Sequence, residues 1–223
     1  MGEIIRKDAA AEDILGDART TLARAQARGG DWQVAAEARL GHVLSLADSV
    51  AARLMEARTM STPAEASLAV ANDVSDRLIH RVADEIWNDV GRPAHDPALD
   101  LIFPGGASAY TEGDVIEQPD RMSLLADLIE ASIHPRLSDA DAATHASAIR
   151  ADARALNERV EAVRPLRVRI AIATKMHQTI ARNAQLALSG LKRAWKADGK
   201  TEVEIHEVIP DRPTGNKKAN PAL

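Results

Sequence analysis

The sequence predicts a mainly α protein: an elongated antiparallel bundle of five or six helices with alanine-rich heptad seams and a small β element near residues 101–103, 114–117 and 202–208. Three observations carry this. Apolar residues at Ala146, Ile149, Ala153, Leu156, Val160 and Val163 alternate steps of three and four, the a/d seam of packed helices. Alanine, the best helix former, is abundant, and its small side chain lets helices approach closely. Start and stop signals punctuate the periodic segments.

The first helix, about 8–28, has its seam at Leu15, Ala18, Leu22 and Ala25 and ends at Gly29-Gly30. The second, about 31–60, uses Leu40, Val43, Ala47, Val50 and Leu54. Thr62-Pro63-Ala64-Glu65 reads as a capping box that opens a third helix, about 63–90. There Val70, Val74, Leu78, Val82, Ile86 and Val90 recur every fourth residue, with Ile79 widening the face. Gly91-Arg92-Pro93 is a helix stop.

A fourth helix, about 119–134, ends at Pro135, and a fifth, about 138–163, starts at Ser138-Asp139-Ala140-Asp141. Arg164-Pro165 separates it from a sixth, about 166–198, striped by Ile172, Met176, Ile180, Ala184, Leu188, Leu191 and Trp195 and ended by Gly199. Leu166–Ile172 alternates with period two but continues into that stripe without a break, and is read as helix. Thr201–Ile209 also alternates, is β-branched, and is read as a strand. Its candidate partners are Asp100–Phe103, Asp114–Glu117 and Glu3–Arg6, because a lone strand needs one. The organisation is one helical domain, 1–209, interrupted by a non-helical insert, 94–118, and followed by a tail, 210–223.

Composition limits function. The 223 residues contain no cysteine, which removes disulfides, thiolate metal sites and cysteine nucleophiles. The net charge is −5, with 28 basic residues scattered among 33 acidic ones, so no stripe attracts a phosphate backbone; the Lys217-Lys218 pair after Arg212 is the one feature in favour of nucleic acid, and no nucleic-acid partner is expected. Charges at Glu3, Arg6, Lys7 and Asp8 break any signal-peptide core, and no segment has the roughly 18 apolar residues of a membrane span. A cytoplasmic protein without a membrane partner is expected.

Long bundles house carboxylate-bridged metals through inward Glu-x-x-His pairs, which are absent here. One-turn pairs do occur: Asp76, His80 and Asp84; Glu130 and His134; Asp141 and His145. They read better as solvated faces and helix ends. His42 and His177, beside apolar stripes, read as packed histidines. Glu202, Glu204 and His206 read as a charged edge rather than a cation site. Gly105-Gly106 lacks the Gly-Lys-Ser/Thr of a phosphate loop, and Gly106-Ala107-Ser108-Ala109-Tyr110 fails the nucleophile elbow at its last position.

A non-enzymatic structural or adaptor protein without cofactor is therefore expected, partnered by itself as a homo-oligomer or by another protein. The alternative is an enzyme or metal carrier whose site is assembled from distant helices, such as His80, Asp84, Glu130 and His134. Two features point to association. Leu44, Leu46 and Met55 lie beside the Leu40–Leu54 seam, more apolar surface than one neighbour covers. Leu101, Ile102, Phe103 and Tyr110 gather large side chains, including the only Phe and Tyr, in a glycine-containing interruption, as interface anchors do. The competing role for Phe103 and Tyr110 is to plug the bundle end and bond a helix terminus.

Overall fold

The computed structural model describes residues 9–210. The candidate strand Glu3–Arg6, the tail beyond Pro210 and Lys217-Lys218 lie outside the described residues. The helices are α1 (Ala11–Arg28), α2 (Gly30–Ala36), α3 (His42–Asp89), α4 (Pro97–Ile102), α5 (Ser108–Thr111), α6 (Gln118–Glu130), α7 (Asp139–Ala197) and α8 (Glu202–Val208). A π-helical turn, Glu37–Gly41, joins α2 to α3. The chain forms two compact units: one from the segments up to Ala57 and from Arg169 onward, the other Arg58–Val168. Both α3 and α7 contribute to each.

In the first unit α1, the π-helical turn, the start of α3 and the end of α7 bury Leu15, Ala18, Leu40, Ala47, Leu188 and Trp195, with Ile205 of α8 closing the core. These are the residues of the expected seams, so the three-four spacing reports burial directly. In the second unit α3, α6 and α7 pack Ile79, Ile86, Met122, Leu125, Ile149 and Leu156. Two end signals act as expected. Gly91, at φ 90°, lets Arg92 N–H reach Trp87 O at 2.9 Å and Gly91 N–H reach Asn88 O at 3.0 Å, closing α3. Ser138 Oγ accepts from Asp141 N–H at 3.1 Å and caps α7.

The expected breaks at Pro63 and Pro165 do not occur; both prolines lie inside helices, in α3 and α7. The residues of the anticipated capping box bond elsewhere: Thr62 Oγ1 donates to Arg58 O at 3.1 Å, and Glu65 accepts from Ser61 Oγ at 3.0 Å and pairs with Arg167 at 3.4 Å. Buried positions continue in register on both sides, at Leu54, Ala57, Ser61 and Leu68 in α3 and at Val160, Val163 and Leu166 in α7. An interior proline costs about 3 kcal/mol, less than breaking that packing. Pro63→Ala restores a donor to the helix ladder and is expected to raise stability by about 1–2 kcal/mol in urea unfolding.

The expected β element is replaced by helix and turns; the described residues include no strand. Residues 101–103 belong to α4 and its C-cap, started by Asp96, whose side chain accepts from Ala98 and Leu99 N–H, with Pro97 in the first position. Residues 114–117 form turns held by Glu117 N–H to Asp114 O at 3.1 Å. Residues 202–208 are α8, begun by a capping box between Thr201 and Glu204. The insert 94–118 thus contains two short helices.

Candidate functional site

Two arrangements stand out, one in each unit. In the second, Asp96 is the hub of a polar cluster. Its Oδ1 accepts N–H bonds from Ala98 at 2.9 Å and Leu99 at 3.3 Å; its Oδ2 accepts from His134 Nε2 and from the Arg136 guanidinium, each at 3.0 Å. His134 is buried, and its Nδ1 accepts the Arg136 N–H at 3.2 Å, which places the ring proton on Nε2. The hydrogen bond from His134, with further ones from Ala98, Leu99 and Arg136, holds the Asp96 carboxyl at about 2 against opposing desolvation. Both imidazole nitrogens and both carboxylate oxygens are engaged, so the pair ties the start of α4 to the segment that follows α6.

Of the residues expected at a contact surface, Leu101 is 66% exposed, whereas Ile102, Phe103 and Tyr110 are buried. Tyr110 OH donates to Ile102 O, the last residue of α4, at 2.5 Å, and the Phe103 and Tyr110 rings meet edge to face at 6.1 Å. That geometry is the plugging arrangement: the aromatic rings close the core of this unit, and burial raises the pKa of the Tyr110 hydroxyl.

The titratable residues singled out as ligands are dispersed among separate partners. Glu130 pairs with Arg150 at 2.5 Å, Asp76 accepts from Gln118 at 2.7 Å and Asn72 at 3.0 Å, and Asp141 accepts from Ser138 at 2.6 Å. His145 lies between Glu85 and Asp89 at 3.6 and 3.3 Å. His80, Asp84 and His42 are exposed, and His177 approaches Glu12 at 3.7 Å. Glu202 binds Lys192 at 2.7 Å, Lys196 at 2.5 Å and His206 at 3.3 Å, while Glu204 is consumed by its cap. Among the described residues no three His, Asp or Glu side chains converge as a metal site.

In the first unit, α3 and α7 leave an apolar groove of about 390 Å³ lined by Leu46, Val50, Ile172, Met176 and Ile180, with Lys175 and Thr179. Leu46 is 43%, Ile172 55% and Met176 43% exposed. The covered side of α3 faces α1, where Leu44 and Ala47 enter the core and Asp48 binds Arg19 at 2.6 Å. Val50 is the buried floor of the groove, packed with Leu54 and Ala173, and Leu46 is exposed beside it. The exposed side chains leave part of this lining in contact with water. Leu46 was legible as apolar excess beside the seam. Asp96 was not, although an Asp before proline at a helix start is a capping signal.

No protein-family model, curated protein or solved structure matches the chain.

Proposed function

We propose that the protein is a non-enzymatic structural or adaptor protein that works by association with other polypeptide chains, either further copies of itself or a second protein. The observation that carries this reading is the uncovered groove between Leu46, Val50, Ile172, Met176 and Ile180. Leu101 adds an exposed apolar side chain in the other unit. Asp96 and His134 bond each other and neighbouring groups of the chain, and among the described residues the ligand candidates do not converge on one point. No helix among the described residues is long and apolar enough to cross a membrane.

Crosslinking in the cells that express the protein tests the proposal. Wild type is expected in covalent complexes above its own 23.9 kDa, and an Ile172→Asp, Met176→Asp variant is expected to lose most of them. Recovery of both proteins only as the single chain contradicts it.

A further inference from the structure

Resting on that reading, we infer that the α3–α7 groove of the first unit takes an amphipathic helix rich in Asp and Glu, contributed by a different protein. The charge distribution selects this occupant. From Ala162 to Ala197, α7 carries no Asp or Glu although the chain as a whole has net charge −5. Lys175 lines the groove. Arg169 precedes Ile172 by three residues and Arg53 follows Val50 by three, spacings that keep both on the groove side of their helices. Among the described residues none of these three cations has a carboxylate within 4.0 Å.

A fourth cation is placed on the same side by two irregularities. The π-helical turn Glu37–Gly41 shifts the helical register around Arg39. Gly190, a residue that weakens a helix interior, lies a whole number of turns beyond Ile172. A Cβ at position 190 would come within 2.9 Å of Arg39 Nη1, so the glycine lets the guanidinium lie against α7. Both features weaken ideal helix, and both serve the placement of an exposed positive charge at one end of an apolar groove whose other end carries Arg53 and Arg169.

A second copy fits poorly. Two such faces brought together would oppose four cations with Glu56 as the flanking carboxylate, because Glu37 accepts from Gln26 and Gln33 and Asp48 binds Arg19. Nucleic acid fits poorly as well: the centre of the face is aliphatic and offers no ring for base stacking. An acidic amphipathic helix satisfies both the groove and its rim, with apolar residues at i, i+3, i+4 and i+7 and carboxylates flanking them.

The test uses the full chain and two labelled synthetic helical peptides with the same leucine pattern, one otherwise rich in Glu and one in Lys, together with a labelled DNA duplex. Fluorescence anisotropy at low salt is expected to show the Glu peptide binding at least about tenfold tighter than the Lys peptide. The preference should disappear or invert in Arg53→Glu, Arg169→Glu, Lys175→Glu, and binding should be lost in Ile172→Asp, all at exposed positions and checked for helix content. Equal binding of both peptides, binding of neither, or DNA bound as tightly as the Glu peptide overturns the inference. Light scattering separates it from the broader proposal: an oligomer dissolved by Ile172→Asp assigns the groove to a second copy and overturns it, while a monomer that binds the Glu peptide supports it and removes self-association.

Discussion

Replacing Trp195 by Ala is expected to lower stability by about 4 kcal/mol, the largest effect of any single substitution in the first unit. Trp195 is fully buried in the last turn of α7, and its ring lies 4.5 Å from that of Trp32 at a 51° tilt. Trp32 in turn carries Arg28 at 4.6 Å and Lys200 at 5.5 Å over its face. Truncation removes the centre of this stack and leaves a cavity that helices held by Leu15, Leu188 and Leu191 cannot close by small shifts. Trp195 Nε1 is buried and has no hydrogen-bond partner among the described residues. Trp195→Phe therefore loses volume but no polar contact, and is expected to cost only about 1–2 kcal/mol. Urea unfolding followed by circular dichroism compares the two; equal losses would show that the ring stack is not what holds this end of the core.

The second large effect belongs to the Asp96–His134 cluster. His134→Ala is expected to cost about 2–4 kcal/mol, because it removes a buried ring, takes the acceptor from Arg136 N–H, and takes the principal donor from the Asp96 carboxylate. The cluster also sets an acid limb. Asp96 has its pKa lowered from 3.8 to about 2, so its contribution is complete above the unfolded value near 3.8 and is lost as pH falls through that value toward 2. Asp96→Asn keeps the shape and removes the titration. Its stability is expected to be lower than wild type at pH 7, with the difference shrinking between pH 4 and pH 2. A difference that stays constant over that range would detach the carboxylate charge from the stability of this segment.

The helices were legible wherever burial sets the period. Ala146–Val163 and Ile172–Trp195 repeat at the spacing that one packed face of a helix requires, and each of the two stripes supplies buried residues to a core. Breaks were less legible because they depend on competition. Pro63 and Pro165 carry a local penalty, but apolar positions on both sides stay in register, and tertiary packing outweighs the local signal. Residues 202–208 show the same conflict in reverse. A few β-branched alternations suit a strand or two turns of helix, and Thr201 with Glu204 three residues later was the deciding helix start.

The apolar groove was partly legible. Leu46 stands outside the seam of its own helix, which marks it as surplus apolar surface. The absence of acid from Ala162 to Ala197 is also plain in the sequence once α7 is known to be continuous. The crossing of Arg39 over Gly190 joins residues far apart in the chain and needs the packed helices to be seen. Phe103 and Tyr110 were ambiguous for a physical reason: rare large rings in a glycine-containing loop suit an interface or a plug, and the hydroxyl bond from Tyr110 to Ile102 is a contact that composition does not reveal.

Association through the groove is tested most directly by placing a photoreactive amino acid at position 176, and as a control at exposed position 182, and irradiating intact cells. The predicted result is a covalent adduct from position 176 to a peptide rich in Asp and Glu with helical apolar spacing, with little or none from position 182. Equal labelling from both positions, or no adduct from position 176, would contradict it.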